Sequence, residues 1–253
     1  MQAYGEAFAH VYNLRWGGFA RQVAPRIEAL YSGTDLGKEE RSLLDVCCGT
    51  GQLAACFLER GFRVTGIDLS EAMLAHARRN NASQVNSGQA FFRRADAAHF
   101  KVVGRFGLAV STFDALNHLP DEQALAGCFR SVHAAVLPRG LFIFDLNTES
   151  GLRRNWNGLS VTDDEEAMIV TRGAYIEEER RGVTRLSGFV RMEDGGYSRF
   201  EETVYNVVFP LEKVRSLLHE CGWSRAYFAR PADLAAPITD PEAEPRVFVV
   251  AQR

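Results

Sequence analysis

The chain has 253 residues, 46% of them apolar, and a formal net charge of −3, which is the composition of a globular protein with a full core. The slight acidic excess and the lack of any long apolar run argue against nucleic acid, anionic membranes or a membrane span as the basis of its function. The first ten residues lack the features of a secretory signal and the five cysteines form no CxxC pair, so we expect a cytoplasmic protein with reduced thiols and no metal site.

The N-terminal region carries aromatic side chains at helical spacing. Phe8, Tyr12, Trp16 and Phe19 fall at helical spacing, and this predicts an aromatic-faced helix ahead of the first strand. We assign residues 1–40 to an N-terminal helical cap.

Five short apolar runs alternate with amphipathic segments between residues 42 and 147. Such runs are typical of buried strands in a parallel sheet, and their alternation with helices predicts right-handed crossovers and a doubly wound α/β sheet. Helices are predicted from Gln52, from Glu71 after the N-cap Ser70, and after the N-cap Asp121. The predicted strands are Ser42–Cys47, Arg63–Asp68, Ala90–Asp96, Phe106–Thr112 and Gly140–Asn147.

Alternating polar and apolar residues replace this pattern over residues 150–209. The stretch predicts an antiparallel β meander inserted after the fifth strand. Because an exposed sheet edge pairs readily and a closed lid makes a dry pocket, the insertion is expected to be either a substrate lid or a homodimer surface. The predicted turns are Arg172-Gly173, Arg181-Gly182 and Asp194–Gly196.

After the insertion the α/β pattern resumes. Pro210 opens a helix, and two terminal strands follow at Ser224–Ala229 and Arg246–Gln252. We therefore take residues 1–253 as a single domain that carries the insertion.

The segment Leu43–Leu53, LLDVCCGTGQL, runs from a predicted strand through Gly49-Thr50-Gly51 into a helix. Glycines allow a sharp turn that a ligand can approach closely, and the helix N-terminus adds free N–H groups. Asp45 is expected either to serve that ligand or to fix the loop by accepting backbone N–H bonds. By itself the GxGxxA spacing also fits a dinucleotide site.

Carboxylates end two further predicted strands. Asp68 ends the second strand and Asp96 the third, and the carboxyl ends of strands are where open α/β sheets bind ligands. Asp68 suits a ribose diol and Asp96 the edge of a base. The alternative for Asp68 is a turn residue beside the N-cap Ser70.

In order and spacing, the segments LLDVCCGTG, VTGIDLSEAML, FFRRADAAHF, FGLAVSTFDALNHL and GLFIFDLN resemble the class I S-adenosylmethionine-dependent methyltransferases that act on small molecules. The resemblance implies a Rossmann-like seven-stranded sheet with its last strand antiparallel, and S-adenosylmethionine as the cofactor. In the family, the acidic residue matching Asp68 holds the ribose and the residue matching Asp96 contacts adenine. The positions implied to bind the cofactor are Tyr12, Trp16, Asp45, Cys47, Gly49, Gly51, Asp68, Leu69, Met73, Asp96, Ala97, Ser111 and Phe113.

His118 is the candidate catalytic residue. It lies just after the fourth strand, and an imidazole can take a proton from an acceptor near neutral pH. The stretch resembles the loop of sugar amine methyltransferases, in which a histidine at the matching place addresses the substrate. The alternative is that His118 caps the helix that begins near Asp121. Asn117 is expected to orient His118, to bind substrate or to form a turn.

The sequence therefore predicts methyl transfer to nitrogen or oxygen of a small-molecule acceptor. Two other functions stay open: a nicotinamide-dependent oxidoreductase, and a non-catalytic protein that binds S-adenosylmethionine. A nucleic-acid methyltransferase is disfavoured, because STFDAL differs from a DPPY-like run and the sequence has no basic patch. Candidate acceptor contacts in the insertion are Tyr175, Tyr197, Tyr205, Arg153 and Arg154.

Overall fold

The computed structural model describes residues 4–192 and 194–253. Its strands form two separate sheets, a large one and a smaller one within residues 150–209. The strands within the described residues are β1 Ser42–Val46, β2 Arg63–Asp68, β3 Ala90–Arg94, β4 Phe106–Ser111, β5 Val136–Asn147, β6 Gly158–Asp163, β7 Ala167–Ile176, β8 Arg181–Arg191, β9 Tyr197–Val207, β10 Arg225–Arg230, β11 Asp233–Pro237 and β12 Arg246–Gln252.

The large sheet has the order β11-β10-β12-β5-β4-β1-β2-β3. Strands β1 to β5 pair in parallel, whereas β12 runs antiparallel to both β5 and β10. The doubly wound sheet with an antiparallel last strand is confirmed, and the structure adds β11 as an irregularly paired edge strand. The strand order reverses between β1 and β4, and such a switch point is where open α/β sheets bind ligands.

Helices flank this sheet and connect its strands. The α-helices within the described residues are α1 Glu6–Arg15, α2 Gly18–Ser32, α3 Asp35–Glu39, α4 Gln52–Leu58, α5 Glu71–Asn80, α6 Ala82–Asn86, α7 Glu122–Ala135, α8 Glu149–Asn155 and α9 Leu211–Glu220. Short 3₁₀ helices lie at Ala115–His118 and Pro241–Ala243.

The large sheet is buried between two layers of helices. On one face, Ile143 of β5 packs in a cluster with Ile27 of α2 and Phe57 of α4. On the other face, Phe144 packs with Phe129 of α7. Every residue of β1 is buried, including the polar Ser42 and Asp45, as is typical of a parallel strand that is covered on both sides.

The aromatic stretch from Phe8 to Phe19 is divided between α1 and α2, so the prediction of an aromatic-faced helix over this stretch is wrong. The break falls at Gly17, because glycine has little helix propensity and the chain turns there. Phe8 of α1 packs in one cluster with Met73 of α5 and Phe200 of β9, whereas Phe19 belongs to α2. Helix α1 therefore joins the large sheet's layer to the insertion.

The insertion forms an antiparallel sheet in the order β6-β7-β8-β9, here called the insertion sheet, and the predicted meander is confirmed. Two of its predicted turns are wrong, since Gly173 lies inside β7 and Arg181-Gly182 opens β8. The reason is close packing rather than chain reversal: a Cβ added at Gly173 would lie 2.0 Å from the carbonyl oxygen of Trp156.

Candidate active site

Left-handed residues shape the loop between β1 and α4. Cys47, Gly49 and Gly51 have φ angles of 59°, 53° and 73°, a region that favours glycine. A Cβ added at Gly51 would also lie 2.9 Å from Nδ2 of Asn81. At Gly49 the Cβ position lies 3.6 Å from Cε1 of Tyr12, so the loop presents bare backbone beneath that ring.

Asp68 ends β2 and ties the glycine loop to the start of α5. Its Oδ2 accepts the N–H of Gly49 and its Oδ1 accepts that of Ser70, each at 2.9 Å. Ser70 caps α5 through the N–H of Met73 at 3.2 Å and donates its hydroxyl to the carbonyl of Tyr4 at 2.8 Å. Burial raises the pKa of Asp68, and these backbone N–H groups oppose the rise. Each carboxylate oxygen can still accept a second hydrogen bond.

Asp45 is buried at the base of the loop, with 2% of its surface exposed. Within the described residues, its Oδ2 and the hydroxyl of Thr50 have no hydrogen-bond partner. Burial, and then the charge of Asp68, raises the pKa of Asp45 to about 8. Asp45 and Thr50 line a small crevice that shares Tyr12 and Cys47 with the main cavity. A buried acceptor without a partner is compensated best by a cationic donor, such as an ammonium group.

A cavity of about 690 Å³ lies between the carboxyl ends of the large sheet's strands and the insertion sheet. This volume is typical of small-molecule sites. Helix α1 and the residue before its N-cap form an aromatic wall of Tyr4, Phe8, Tyr12 and Trp16, in which the Tyr12 and Trp16 ring centroids are 5.4 Å apart. Burial raises the pKa of the Tyr4 and Tyr12 hydroxyls well above the usual range, so this wall stays neutral.

His118 ends the 3₁₀ helix after β4 and lines the cavity. Its Nδ1 lies 2.8 Å from the carbonyl oxygen of Tyr205. Because a carbonyl only accepts, Nδ1 carries the hydrogen and the lone pair of the neutral ring is on Nε2, which lies 3.9 Å from Oδ2 of Asp114. Helix α7 is capped by Asp121, which accepts the N–H of Ala124 at 2.8 Å, so a capping role for His118 is not needed.

A buried network holds the residues before His118. The N–H groups of Phe113 and Asp114, at φ of 67° and 49°, donate to Asp145 at 2.6 and 3.0 Å. Arg246 of β12 donates to Asp145 and, at 2.7 Å, to Asp114. Burial opposes the charge of Arg246, but the two carboxylates outweigh it and raise its pKa. Sequence reasoning missed this network, because it requires the register of β12 against β5.

The insertion supplies the opposite wall, and its contributions differ from those predicted. Tyr205 lines the cavity as predicted, but Trp156 and Arg181 were missed, since nothing in their local pattern marks the side that faces a ligand. The other predicted contacts lie outside the described lining; Tyr175, for example, donates its hydroxyl to Glu149 at 2.9 Å. Those outside are Tyr175, Tyr197, Arg153 and Arg154.

The structure brings most of the predicted cofactor residues together. Gly51 and Ser111 are buried and lie outside the lining. Asp96 also lies outside it, because β3 ends at Arg94 and the exposed Asp96 accepts the N–H of Ala98 at 2.9 Å; its contact with adenine stays a prediction. The predicted residues that line the cavity are Tyr12, Trp16, Cys47, Gly49, Asp68, Leu69, Met73, Ala97, Phe113 and His118.

No helix in the described part of the chain is long and apolar enough to cross a membrane. Residues 4–192 and 194–253 also contain no cluster of three or more His, Cys, Asp or Glu placed to hold a metal ion.

Comparison with known proteins defines the class of the central segment. Residues 43–140 match a family model described as a methyltransferase domain. YqeM of Bacillus subtilis, which its name places among methyltransferases, is 29% identical over 85% of each chain. The dTDP-3-amino-3,6-dideoxy-alpha-D-glucopyranose N,N-dimethyltransferase of Streptomyces fradiae is 33% identical over 41% of this chain and 38% of its own.

Solved structures share the fold over nearly the whole chain. An S-adenosylmethionine-dependent methyltransferase from Clostridium acetobutylicum superposes with a TM-score of 0.77 over 97% of both chains, at 21% identity. The sugar N-methyltransferase KedS8 from Streptoalloteichus gives 0.75 over 100% of this chain and 95% of its own, at 22% identity. The fold is Rossmann-like, residues 43–140 match a methyltransferase domain, and the relatives and structural neighbours support an S-adenosylmethionine-dependent methyltransferase. The nicotinamide-dependent and non-catalytic alternatives are set aside.

Proposed function

We propose that the chain methylates a nitrogen atom of a small amine bound beneath the insertion sheet. The observation that supports this proposal is the pair of contacts made by the two ring nitrogens of His118. Its Nδ1 donates to the carbonyl of Tyr205, which leaves the Nε2 lone pair 3.9 Å from the carboxylate of Asp114 in the cavity wall. A carboxylate attracts an ammonium ion and a base accepts its proton, so the pair suits an amine acceptor.

In this proposal S-adenosylmethionine lies along the carboxyl ends of β1, β2 and β3. Asp68 accepts the ribose hydroxyls, Leu69 and Met73 flank the adenine, and Asp45 faces the ammonium of the methionine part. The unpartnered Oδ2 of Asp45 fits such a cation. The cofactor supplies a methyl group that its sulfonium charge has already activated, and the aromatic wall of α1 favours that charge by cation–π attraction.

The residues of this chain would then prepare the acceptor. An amine nitrogen needs a free lone pair to be methylated, and Nε2 of His118 can take the proton that occupies it. Asp114 stabilises the imidazolium that results, while Arg246 and Asp145 hold Asp114 in place. The insertion sheet and α1 cover the cavity and keep water away from the reacting groups.

The relatives support nitrogen as the acceptor atom. By its name, the Streptomyces fradiae relative dimethylates an amino sugar. KedS8, which shares the fold, is named as a sugar N-methyltransferase. A small amine, with amino sugars as the first group to screen, is therefore the acceptor class that we propose.

Methyl transfer to matched pairs of amines and alcohols, such as glucosamine and glucose, tests this function. We expect transfer to amines only, and His118→Gln is expected to lower kcat about 10²- to 10⁴-fold with little change in affinity for S-adenosylhomocysteine. His219→Gln, on the exposed end of α9, is the matched control and should keep full activity. Transfer to alcohols alone, or an active His118→Gln variant, contradicts the proposal.

Three further expectations stay predictions. They are a cytoplasmic location, a single domain over residues 1–253 with a cap at 1–40 and an insertion at 150–209, and a homodimer formed through the insertion. Strand β6 is exposed along its whole length at the edge of the insertion sheet, so this edge is where pairing with a second copy would begin.

A further inference from the structure

The strand register of the insertion sheet places two polar side chains on its inward face. Gly182 of β8 lies opposite Asn206 of β9, and Thr184 follows two residues along β8, so the three residues share a face. Leu186 continues that face and packs in one cluster with Phe8 of α1, which identifies it as the face that is turned toward the large sheet. Asn206 and Thr184 both line the cavity.

The amide of Asn206 is held in one orientation. Only 2% of the residue's surface is exposed. Its Oδ1 accepts a hydrogen bond from Nδ2 of Asn147 at 3.2 Å, and the backbone N–H of Asn147 donates to Oδ1 of Asn117 at 2.9 Å. Within the described residues, Nδ2 of Asn206 has no hydrogen-bond partner. An amide nitrogen carries two N–H donors, so Asn206 presents donors to the cavity.

Thr184 supplies a second polar group near this amide. Its hydroxyl makes no hydrogen bond to the part of the chain that the structure describes. Residues placed diagonally across two neighbouring strands lie about 7–8 Å apart, so one group of a ligand can bond to both Asn206 and Thr184. The Trp156 indole closes the space beside them, because a Cβ added at Gly182 would lie 2.7 Å from Cδ1 of that indole.

The inward face carries no charge where it meets the cavity. Its described lining residues are Thr171, Thr184, Leu186, Val204 and Asn206. Arg181 also lines the cavity, but its guanidinium lies against the Tyr205 ring on the other face of β8, 4.6 Å from the ring centroid. An ionised group of a ligand buried against the inward face would have no counter-charge. A hydroxyl group, by contrast, accepts from Asn206 and either donates to Thr184 or accepts from it.

This hydroxyl subsite, formed by Asn206 and Thr184, lies next to His118. Tyr205, whose carbonyl accepts from Nδ1 of His118 at 2.8 Å, precedes Asn206 in β9, and consecutive residues of a strand are about 3.3 Å apart. We infer that the acceptor is an amino alcohol whose only charge is on its amine, and that a hydroxyl on the carbon next to the amine carbon binds between Asn206 and Thr184. The inference rests on the proposed function, because the same molecule presents its amine to His118.

Calorimetry on protein saturated with S-adenosylhomocysteine tests this subsite. The probes are cyclohexylamine, 2-aminocyclohexanol as its cis and trans isomers, and 4-aminocyclohexanol, which share the amine and the ring and differ in the hydroxyl. At least one isomer of 2-aminocyclohexanol should bind about tenfold more tightly than cyclohexylamine and 4-aminocyclohexanol. Thr184→Val, which removes only the hydroxyl, should reduce this preference severalfold, and Asn206→Leu should abolish it.

Thr162→Val is the matched control, because Thr162 is exposed on β6 and lies outside the cavity lining. It should keep the full preference. Thermal unfolding shows whether Asn206→Leu is folded; if it is not, Thr184→Val decides the question alone. Equal binding of all probes, no binding of any probe, or a full preference that survives in Thr184→Val overturns the inference.

Methyl transfer to the same probes is measured separately, so that the two proposals fail in different ways. If 2-aminocyclohexanol binds with the Thr184-dependent preference but is never methylated, the subsite is supported and the proposed function is contradicted. Methylation of cyclohexylamine and 2-aminocyclohexanol with equal KM contradicts the subsite and leaves the proposed function in place.

Discussion

At the scale of single residues, ionisation of the Asp45 carboxyl has opposite effects on folding stability and on ligand binding. Burial raises the pKa of its carboxyl from 3.8 to about 8, so the folded protein without ligand holds this proton more tightly than the unfolded chain does. Stability from this group is therefore present below pH 3.8 and is lost progressively as the pH rises toward 8. An ammonium bound beside Oδ2 reverses the balance, because it favours the ionised form.

Asp45→Asn should separate these two effects. In the wild type, affinity for S-adenosylhomocysteine should rise roughly tenfold between pH 7 and pH 8.5 as the carboxyl ionises. At pH 8.5 the variant should bind S-adenosylhomocysteine about 10- to 100-fold more weakly than the wild type, and its affinity should be nearly independent of pH. Without ligand, the Tm of the variant should increase relative to the Tm of the wild type as the pH rises. Calorimetry measures the affinity and thermal unfolding measures the Tm, with the exposed Asp240→Asn as control. If the pH profiles of wild type and Asp45→Asn run parallel, the Asp45 carboxyl does not have this role in binding and stability.

The residues that could be predicted from the sequence are those fixed by local spacing. The glycine loop and Asp68 follow directly from a strand that runs into a helix, and His118 from its place after β4. The Asp145–Arg246 pair lies 101 residues apart in the chain, and its contact depends on an antiparallel register that local patterns do not encode.

At the scale of elements, a buried amide joins the 3₁₀ helix, β5 and the insertion sheet. Nδ2 of Asn117 donates to the carbonyls of Asn147 and Val207 at 3.1 and 2.9 Å, and its Oδ1 accepts the N–H of Asn147 at 2.9 Å. Asn117 is fully buried and lies outside the cavity lining. Of its expected roles, the contacts support positioning of His118 rather than substrate binding.

Asn117→Leu should lower the free energy of unfolding by about 2–4 kcal/mol, because it leaves two carbonyls and one N–H buried without partners. It should also lower kcat, since the loop that carries His118 loses its tie to β9. Urea denaturation and methyl-transfer kinetics measure these effects. The exposed Asn86→Leu should change stability by less than about 0.5 kcal/mol; an equal cost for both variants would argue against the bridging role.

Glu149 anchors the insertion sheet to the end of β5. The Arg180 guanidinium, 2.6 Å away, followed by Arg153 and the Tyr175 hydroxyl, outweighs burial and lowers the pKa of Glu149 to about 2. The stabilisation from these Glu149 contacts should therefore be constant above about pH 4.5 and be lost as the pH falls toward 2. At pH 7, Glu149→Gln should speed amide hydrogen exchange in β7 and β8, whereas the exposed Glu212→Gln on α9 should not; unchanged exchange in Glu149→Gln would rule out this anchor.

Element boundaries were predicted poorly at glycines, because a glycine can mark either a turn or a place where another segment packs closely against a strand. Gly17 breaks the N-terminal helix, a signal that the continuous aromatic pattern obscured. Gly173 and Gly182 were interpreted as turns, but each lies in a strand because Trp156 packs against its backbone. A glycine in a strand marks close approach as often as reversal, and the partner that approaches is not visible in the sequence.

At the scale of the whole molecule, the cavity exists because α1 holds two sheets around it. Phe8 of α1 clusters with Met73 beside the large sheet and with Ile169, Leu186 and Phe200 of the insertion sheet. The sequence predicted both sheets and the cap, but the residues that each contributes to the cavity depend on how the insertion docks. Such docking is decided by packing between distant segments, which explains why Trp156 and Arg181 were missed.

The central claim, that this cavity holds S-adenosylmethionine with its ribose on Asp68, is tested most directly by calorimetric titration with S-adenosylhomocysteine. We expect a Kd in the micromolar range for the wild type. We expect binding about 10- to 100-fold weaker for Asp68→Asn and unchanged binding for Asp240→Asn, with Tm values confirming that each variant is folded. Failure of the wild type to bind, or an Asp68→Asn variant that binds as tightly as the wild type, would contradict it.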